Sequence, residues 1–168
     1  NHVKERTQFT IVSDNLFGGA GPWPVAILPQ NRVYDERLSD LIFENNRVVA
    51  QYGELGPKLT AISIKVSGHY ISVRNNTIDG TGGQPGYTGI EVKRRGVEPT
   101  PKGVSVKDNS MFRSDNSDAK SNSFRRGIQV GAETRQSIVT NNQVSFPDSV
   151  RPIHILVDET PDLVKSNN

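Results

Sequence analysis

The sequence of 168 residues predicts an all-β solenoid, a chain that winds through stacked coils of short strands. The first observation is an internal repeat: five segments align without gaps around a shared asparagine, and the steps between these asparagines are 31, 30, 33 and 33 residues. The second is that apolar residues recur at period two within the segments, which is typical of strands and not of helices. The shared asparagines are Asn15, Asn46, Asn76, Asn109 and Asn142.

Each repeated segment predicts one strand that ends at a tight turn. The residues five and three positions before the asparagine, and two positions after it, are mostly apolar and are predicted to point inward. The residue directly before the asparagine is always Asn or Asp, which tolerate the left-handed backbone of a turn. Stacked in successive coils, the asparagine amides can hydrogen-bond one another as a ladder. The position two before the asparagine is polar every time and is predicted to face outward: Ser13, Glu44, Arg74, Lys107 and Thr140.

A further strand is predicted in each coil, so that every coil of roughly 30 residues holds three short strands. These further strands are predicted over residues 24–27, 61–64, 89–92, 127–130 and 152–155. Their aligned mid-strand outward positions are Ala26, Ser63, Glu91, Gln129 and His154. An ordinary β-sandwich would not repeat an asparagine at coil length, and a helical repeat would need a 3.6-residue period.

The repeat resembles the right-handed parallel β-helix of the pectate-lyase-like superfamily, over about residues 9–157 of a single domain spanning 1–168. The resemblance implies about five coils with an asparagine ladder, a groove that binds sugar chains, and a secreted or cell-envelope location. Solenoids need caps at their ends, and the segments outside the repeat are short. We therefore expect a fragment of a longer β-helix, the alternative being an oligomer or flanking chain that covers the ends.

Composition narrows the function classes. The chain has 20 Lys+Arg against 18 Asp+Glu, and a net charge of +2 is too small to indicate a nucleic-acid partner. The absence of cysteine excludes disulfides, a thiol nucleophile and a zinc–thiolate site. No apolar run approaches the length of a membrane span. Any functional charge must therefore be local.

The predicted groove lies over the further strands, because loops rich in Gly, Pro, Ser and Asp flank them on both sides. Lys65 and Lys93 are predicted to stack in neighbouring coils about 4.8 Å apart, where an anion would relieve their repulsion. The alternative is two flexible lysines in solvent. Glu91 can form an ion pair with a lysine, ligate Ca²⁺ or act as an acid. His154 can act as a base, provide a ring on which a sugar rests, or be covered by a C-terminal cap. The predicted substrate-binding residues are Ser63, Glu91, Arg94, Arg126 and Gln129.

The sequence favours a lyase that cleaves an acidic, uronate-containing polysaccharide by β-elimination. Lys93, an arginine or Ca²⁺ would neutralise the substrate carboxylate, and Lys65 or His154 would remove the C5 proton. Epimerase and glycoside hydrolase activities are less favoured, and no acid pair for glycoside hydrolysis stands out. The alternative is a non-catalytic, carbohydrate-binding scaffold such as an adhesin or a phage tailspike segment. Neither the Trp-Ile-Asp-His-type motif of pectate lyases nor the Asp-Pro-His-Asp motif of mannuronan epimerases is present, which favours this non-catalytic alternative. No certain cofactor and no metal site are predicted.

Overall fold

The structure is a computed structural model that describes residues 9–19, 25–27, 40–51, 62–81, 87–94, 100–112, 124–145, 153–157 and 164–166. Within these ranges the regular secondary structure consists of sixteen strands and no helix, so none of the ranges holds a helix able to cross a membrane. The strands are β1 (Thr10–Ser13), β2 (Leu16–Gly19), β3 (Val25–Ile27), β4 (Leu41–Glu44), β5 (Arg47–Gln51), β6 (Ile62–Val66), β7 (Ile71–Arg74), β8 (Thr77–Thr81), β9 (Tyr87–Val92), β10 (Ser105–Lys107), β11 (Ser110–Phe112), β12 (Phe124–Val130), β13 (Ile138–Thr140), β14 (Gln143–Val144), β15 (Ile153–Val157) and β16 (Val164–Ser166).

The strands form three parallel sheets, and each strand pairs with the strands three places before and after it. The first sheet has the order β1-β4-β7-β10-β13-β16, the second β14-β11-β8-β5-β2 and the third β15-β12-β9-β6-β3. Successive turns of the chain therefore stack with three strands each, as the repeat predicts. The prediction of an all-β chain is confirmed for the described ranges, and the stacking is consistent with a β-helix solenoid.

The shared asparagines form a continuous hydrogen-bonded row at the turn between the first and second sheets, from Asn15 to Asn142. At Asn46, the main-chain N–H donates to Oδ1 of Asn76 at 3.0 Å and the side-chain Nδ2 donates to the same oxygen at 3.3 Å. The second Nδ2 proton of Asn76 reaches back to the carbonyl of Phe43 at 3.0 Å. The row thus satisfies buried main-chain and side-chain groups of adjacent coils together.

The residue before each member of this asparagine row has the left-handed backbone that the sequence predicts. A side chain with its own hydrogen-bonding groups tolerates this conformation better than other non-glycine residues. The φ angles are 59° at Asp14, 55° at Asn45, 54° at Asn75, 57° at Asp108 and 55° at Asn141.

The core lies between the three sheets and is built from the predicted inward positions. In the first sheet, Phe43, Val73, Val106 and Val139 are buried, while Val12 in the first described coil is only partly covered. Apolar side chains of the second and third sheets, such as Val48, Ile78, Ile90 and Ile128, complete the same cluster. Burial is therefore continuous through the stack, which is how a solenoid obtains a core from short repeats.

Strand β16 lies beyond the predicted repeat. It pairs in parallel with β13 and brings Ser166 into register with Thr140. The repeat predicts no strand in this part of the chain, so the first sheet continues one strand further than expected.

Candidate functional site

The register of the third sheet differs by two residues from the predicted alignment at β6, whereas the predicted alignment of Glu91 with Gln129 is confirmed. Lys65 has Ala26 as its partner in β3 and Glu91 as its partner in β9, and Glu91 in turn faces Gln129 in β12. The predicted alignment of Ser63 with Glu91 is therefore wrong. The reason is that β6 alternates through Ile62, Ile64 and Val66, so a slip of two residues keeps the same face inward.

The predicted stack of Lys65 and Lys93 is wrong for the same reason. Lys93 follows β9 and lies level with Ser67 and Gly131: its N–H donates to the carbonyl of Val66 at 3.2 Å, and the N–H of Gly131 donates to the carbonyl of Val92 at 2.9 Å. The neighbour of Lys65 across the strands is instead the carboxylate of Glu91. Opposite charges, and not like charges, occupy this register position.

Four predicted groove residues are buried. Ser63, Lys65, Glu91 and Gln129 are 0%, 1%, 3% and 7% exposed. The prediction that they form an open polar floor is wrong, and so is the alternative that Lys65 extends into solvent. Strand alternation shows which face of a sheet a side chain occupies, but not whether that face is covered.

Gly89 stands two positions before Glu91 on the same predicted face, and a residue without a side chain there predicts room for a ligand against the backbone. A Cβ placed on Gly89 would instead lie 2.8 Å from Sδ of Met111, a core residue, and 2.6 Å from the carbonyl oxygen of Gly127. This glycine is therefore required by close packing inside the coil, and the ligand interpretation is wrong.

Three predicted cations remain accessible at the two ends of the third-sheet strands. Lys93 is half-buried. Its side chain lies against Gly131, since a Cβ on that glycine would be 2.9 Å from Cγ of Lys93. Arg94 is exposed beside it. Arg126 lies near the start of β12 and is half-buried. We call Lys93, Arg94 and Arg126 the accessible cations of the third sheet.

Two neighbouring polar atoms on this sheet lack a hydrogen-bond partner. Thr88 and Arg126 are register partners in β9 and β12, next to an irregularity between Phe124 and Arg126. Nη1 of Arg126 donates to Oε1 of Gln129 at 3.0 Å, whereas Nε of Arg126 and Oγ1 of Thr88 are both buried without a partner. Burying such a group unsatisfied costs about 1–3 kcal/mol. Thr88 is the register partner of Ile62 and is 0% exposed, so its hydroxyl is out of reach of a ligand on the surface.

Thr88 was not among the predicted site residues, because it stands directly beside a predicted loop. The feature that could have identified it is that a polar residue comes immediately before the strand pattern GIEV.

His154 is placed by its main chain only. Its neighbours Ile153 and Ile155 pair with Arg126 and Ile128, so His154 is level with Gly127 and not with Gln129 as predicted. Its side chain lies outside the described part of the structure, and its predicted catalytic role stays a prediction. Among the described side chains, no group of three or more His, Asp or Glu is placed to hold a metal ion.

Comparisons of the chain with protein-family models, with curated proteins and with solved structures found no match in any of the three.

Proposed function

We propose that the chain is part of a right-handed parallel β-helix of the pectate-lyase-like superfamily, and that it binds an acidic, uronate-containing polysaccharide at the third sheet. The repeat, the asparagine row and the three parallel sheets support the fold. The accessible cations of the third sheet support an anionic ligand. A secreted or cell-envelope location follows from this ligand class and is part of the proposal.

The observation that carries the proposal is the position of the three accessible cations, Lys93, Arg94 and Arg126, at the two ends of the third-sheet strands. A guanidinium group has five N–H donors and no acceptor, and here Gln129 orients it through Nη1. Its other N–H donors need acceptors, and the Arg126 side chain is partly exposed to a ligand on the surface. A carboxylate oxygen meets these requirements best, because hydrogen bonds between charged partners are the stronger ones.

Lys93 and Arg94 extend this site to the other end of the same strands. A linear polymer with one carboxylate per sugar can contact both ends, whereas a single small anion cannot span a strand of this length. The six residues of β9 cover about 20 Å at the rise of an extended strand. A polysaccharide is therefore preferred to a free anion.

The burial of Lys65 favours binding without cleavage. A general base must come within hydrogen-bond reach of the proton that it removes. Lys65 is enclosed beside Glu91, so it does not offer its amine to a polymer on the surface. A lyase activity would depend on Lys93, whose side chain is accessible. The scaffold role is thus the proposed function, and β-elimination is the second candidate.

Calorimetric titration with an oligogalacturonate, using a neutral cello-oligosaccharide as the reference ligand, tests the proposal. Replacement of Arg126 by Gln removes one charge and the unsatisfied donor, and should weaken binding at least tenfold. Replacement of Arg47 by Gln is the matched control: it also removes one charge, from an exposed arginine of β5 on the second sheet, and should change binding less than twofold. Equal losses in the two variants would contradict the site.

The same samples decide between binding and cleavage. Unsaturated products of β-elimination absorb in the ultraviolet, so a rising absorbance that disappears in the Lys93→Gln variant would establish lyase activity. Binding with a constant absorbance would establish the scaffold role.

A further inference from the structure

Three basic residues occupy one register position at the turn that leads into the first sheet. His69 pairs with Lys102, and Lys102 pairs with Arg135, in three consecutive coils. We call these residues the basic row. Hydrogen bonds between coils hold the turn: the N–H of Lys102 donates to the carbonyl of Gly68 at 3.2 Å, and the N–H of Arg135 donates to that of Pro101 at 3.0 Å. The basic row therefore lies on a regular backbone and not on a variable loop.

The charge of the basic row is not balanced by neighbouring carboxylates. Within the described part of the chain, none of its three side chains forms an ion pair or a hydrogen bond. His69 and Lys102 are half-buried and Arg135 is exposed. Since parallel strands lie about 4.8 Å apart, like charges at one register position repel, and a bound anion would relieve that repulsion.

Tyr70 adds an aromatic surface beside the basic row. Its φ of 54° is unusual for a bulky residue. Its ring lies against Gly103 in the next coil, because a Cβ on that glycine would be 2.7 Å from Cδ1 of Tyr70. The residue nevertheless stays 51% exposed, so part of the ring is available to a ligand. A flat, partly exposed ring is suited to packing against a sugar.

Short hydroxyl side chains continue this surface along the strands. Ser72 in β7 and Ser105 in β10 are register partners, and Arg74 and Lys107 are partners two residues further on. Nε of Arg74 donates to Oε2 of Glu44 at 2.6 Å, so its charge is already compensated. Lys107 has no such ion pair among the described residues. The two serines thus lie between the basic row on one side and Lys107 on the other.

We propose that this face, formed by the basic row, Tyr70, Ser72, Ser105 and Lys107, binds a linear anionic glycan that runs along the axis of the coil stack. The spacing argues for this ligand: the cations Lys102 and Arg135 lie one coil apart, about 4.8 Å, whereas duplex DNA carries one charge per about 1.7 Å. The aromatic ring and the hydroxyls fit sugar rings. This site lies on a different sheet from the polysaccharide site proposed above, and it does not depend on that site.

Two double variants with equal loss of charge separate the two faces. Lys102→Gln/Arg135→Gln alters the basic row, and Lys93→Gln/Arg94→Gln alters the third sheet. Each is titrated with an oligogalacturonate, which carries carboxylates, and with a heparin-derived oligosaccharide, which carries sulfates as well. Chemical shifts of the backbone amides of Tyr70 and Gly103 report whether a ligand binds at the first-sheet face. Melting temperatures of both variants confirm that they remain folded.

We expect the basic-row variant to bind at least one of the two glycans about tenfold more weakly, and the ligand to shift the Tyr70 and Gly103 amides. Tyr70→Asn, which keeps a residue tolerant of left-handed backbone, should weaken binding several-fold. Loss of affinity to the carboxylated glycan alone, or to the sulfated one alone, identifies the anion that the site accepts.

Other outcomes overturn the inference. If only the third-sheet variant loses affinity, the first-sheet site is wrong and the proposed function stands. If only the basic-row variant loses affinity, the first-sheet site stands and the third-sheet site is wrong. If neither glycan shifts the Tyr70 and Gly103 amides but a single-stranded oligonucleotide does, the face binds a nucleic acid and the glycan assignment is wrong.

Discussion

Lys65 and Glu91 lie at the same register position in neighbouring strands of the third sheet, and both are almost completely buried. Parallel strands lie about 4.8 Å apart, and opposite charges at one register position are favourable cross-strand neighbours. A buried charge without a partner is costly, and each of these residues therefore constrains what can stand at the other position.

Removal of either charge should destabilise the fold strongly. We expect Lys65→Met and Glu91→Leu each to reduce the free energy of unfolding by about 3–5 kcal/mol, because each leaves the other charge buried with less compensation. The double variant should lose much less than the sum of the two. Urea unfolding of all four proteins measures the coupling, and additive losses would show that the two residues do not interact.

Replacement of Asn76 by Leu should cost more than replacement of Asn75 by Leu. Asn76 is buried, accepts from the N–H of Asn46 and donates to the carbonyl of Phe43, so its loss strands two buried groups at about 1–3 kcal/mol each. Asn75 is exposed and has a left-handed φ of 54°. Leucine at this position should therefore lower the free energy of unfolding only by the cost of that backbone conformation, about 1–2 kcal/mol. Equal losses of melting temperature would contradict the role given to the asparagine row.

Introduction of a single methyl group should distinguish a packed glycine from an open one. Gly89→Ala places Cβ 2.6 Å from the carbonyl oxygen of Gly127, which is main chain and cannot rotate away, so we expect a loss of about 1–3 kcal/mol. Gly18→Ala is the control, since no atom lies within 4 Å of its new Cβ. This control should be neutral or stabilise by about 0.5 kcal/mol, and thermal unfolding measures both.

Replacement of Thr88 by Val should show that its hydroxyl contributes to neither stability nor binding. The Thr88 hydroxyl is buried without a partner, so its removal should leave the unfolding free energy of the free protein unchanged or raise it by up to about 1 kcal/mol. The same change should leave the binding of oligogalacturonate unchanged, because the Thr88 side chain is fully buried.

A second threonine provides the control for that comparison. Oγ1 of Thr134 donates to the carbonyl of Val92 at 3.4 Å, so Thr134→Val should lose about 1 kcal/mol of stability and leave binding unchanged. A large loss of stability in Thr88→Val would show that its hydroxyl has a partner within the chain.

The part of the fold around the asparagine row was predictable from the sequence, because Asn15 to Asn142 recur with few changes of spacing and with a left-handed turn residue before each. The third sheet was predictable as a set of strands but not in its register. When the register shifts by two residues at Ile62 and Ile64, apolar residues still face the core, so the sequence pattern fits both registers. Only the hydrogen bonds between the strands of the folded protein distinguish the two registers.

Two further repeating features of the sequence were not part of the predicted repeat. The basic row stands seven residues before the asparagines, at His69, Lys102 and Arg135, with steps of 33 and 33. The pair Asn167 and Asn168 follows Ser166 just as Asn141 and Asn142 follow Thr140. The step from Asn142 to Asn168 is 26 residues, and the position three before Asn168 holds Lys165 where the other repeats have an apolar residue. This sixth occurrence therefore departs from the expected period and pattern. The burial of Lys65 had no signal in its own strand at all.

The asparagine row also determines how the molecule should respond to mechanical force. Besides bonds within its own coil, such as that from Nδ2 of Asn109 to the carbonyl of Lys107 at 3.1 Å, each asparagine bonds only to adjacent coils. A pull on one end therefore loads one coil at a time and leaves the bonds of the next coil intact. Extension should therefore proceed by successive peeling of coils and not by one rupture of the whole domain. Since the repeat is 30 to 33 residues long, each event should release about 100 Å of chain. The row thus makes a protein without disulfides extend in regular increments that its own sequence period sets.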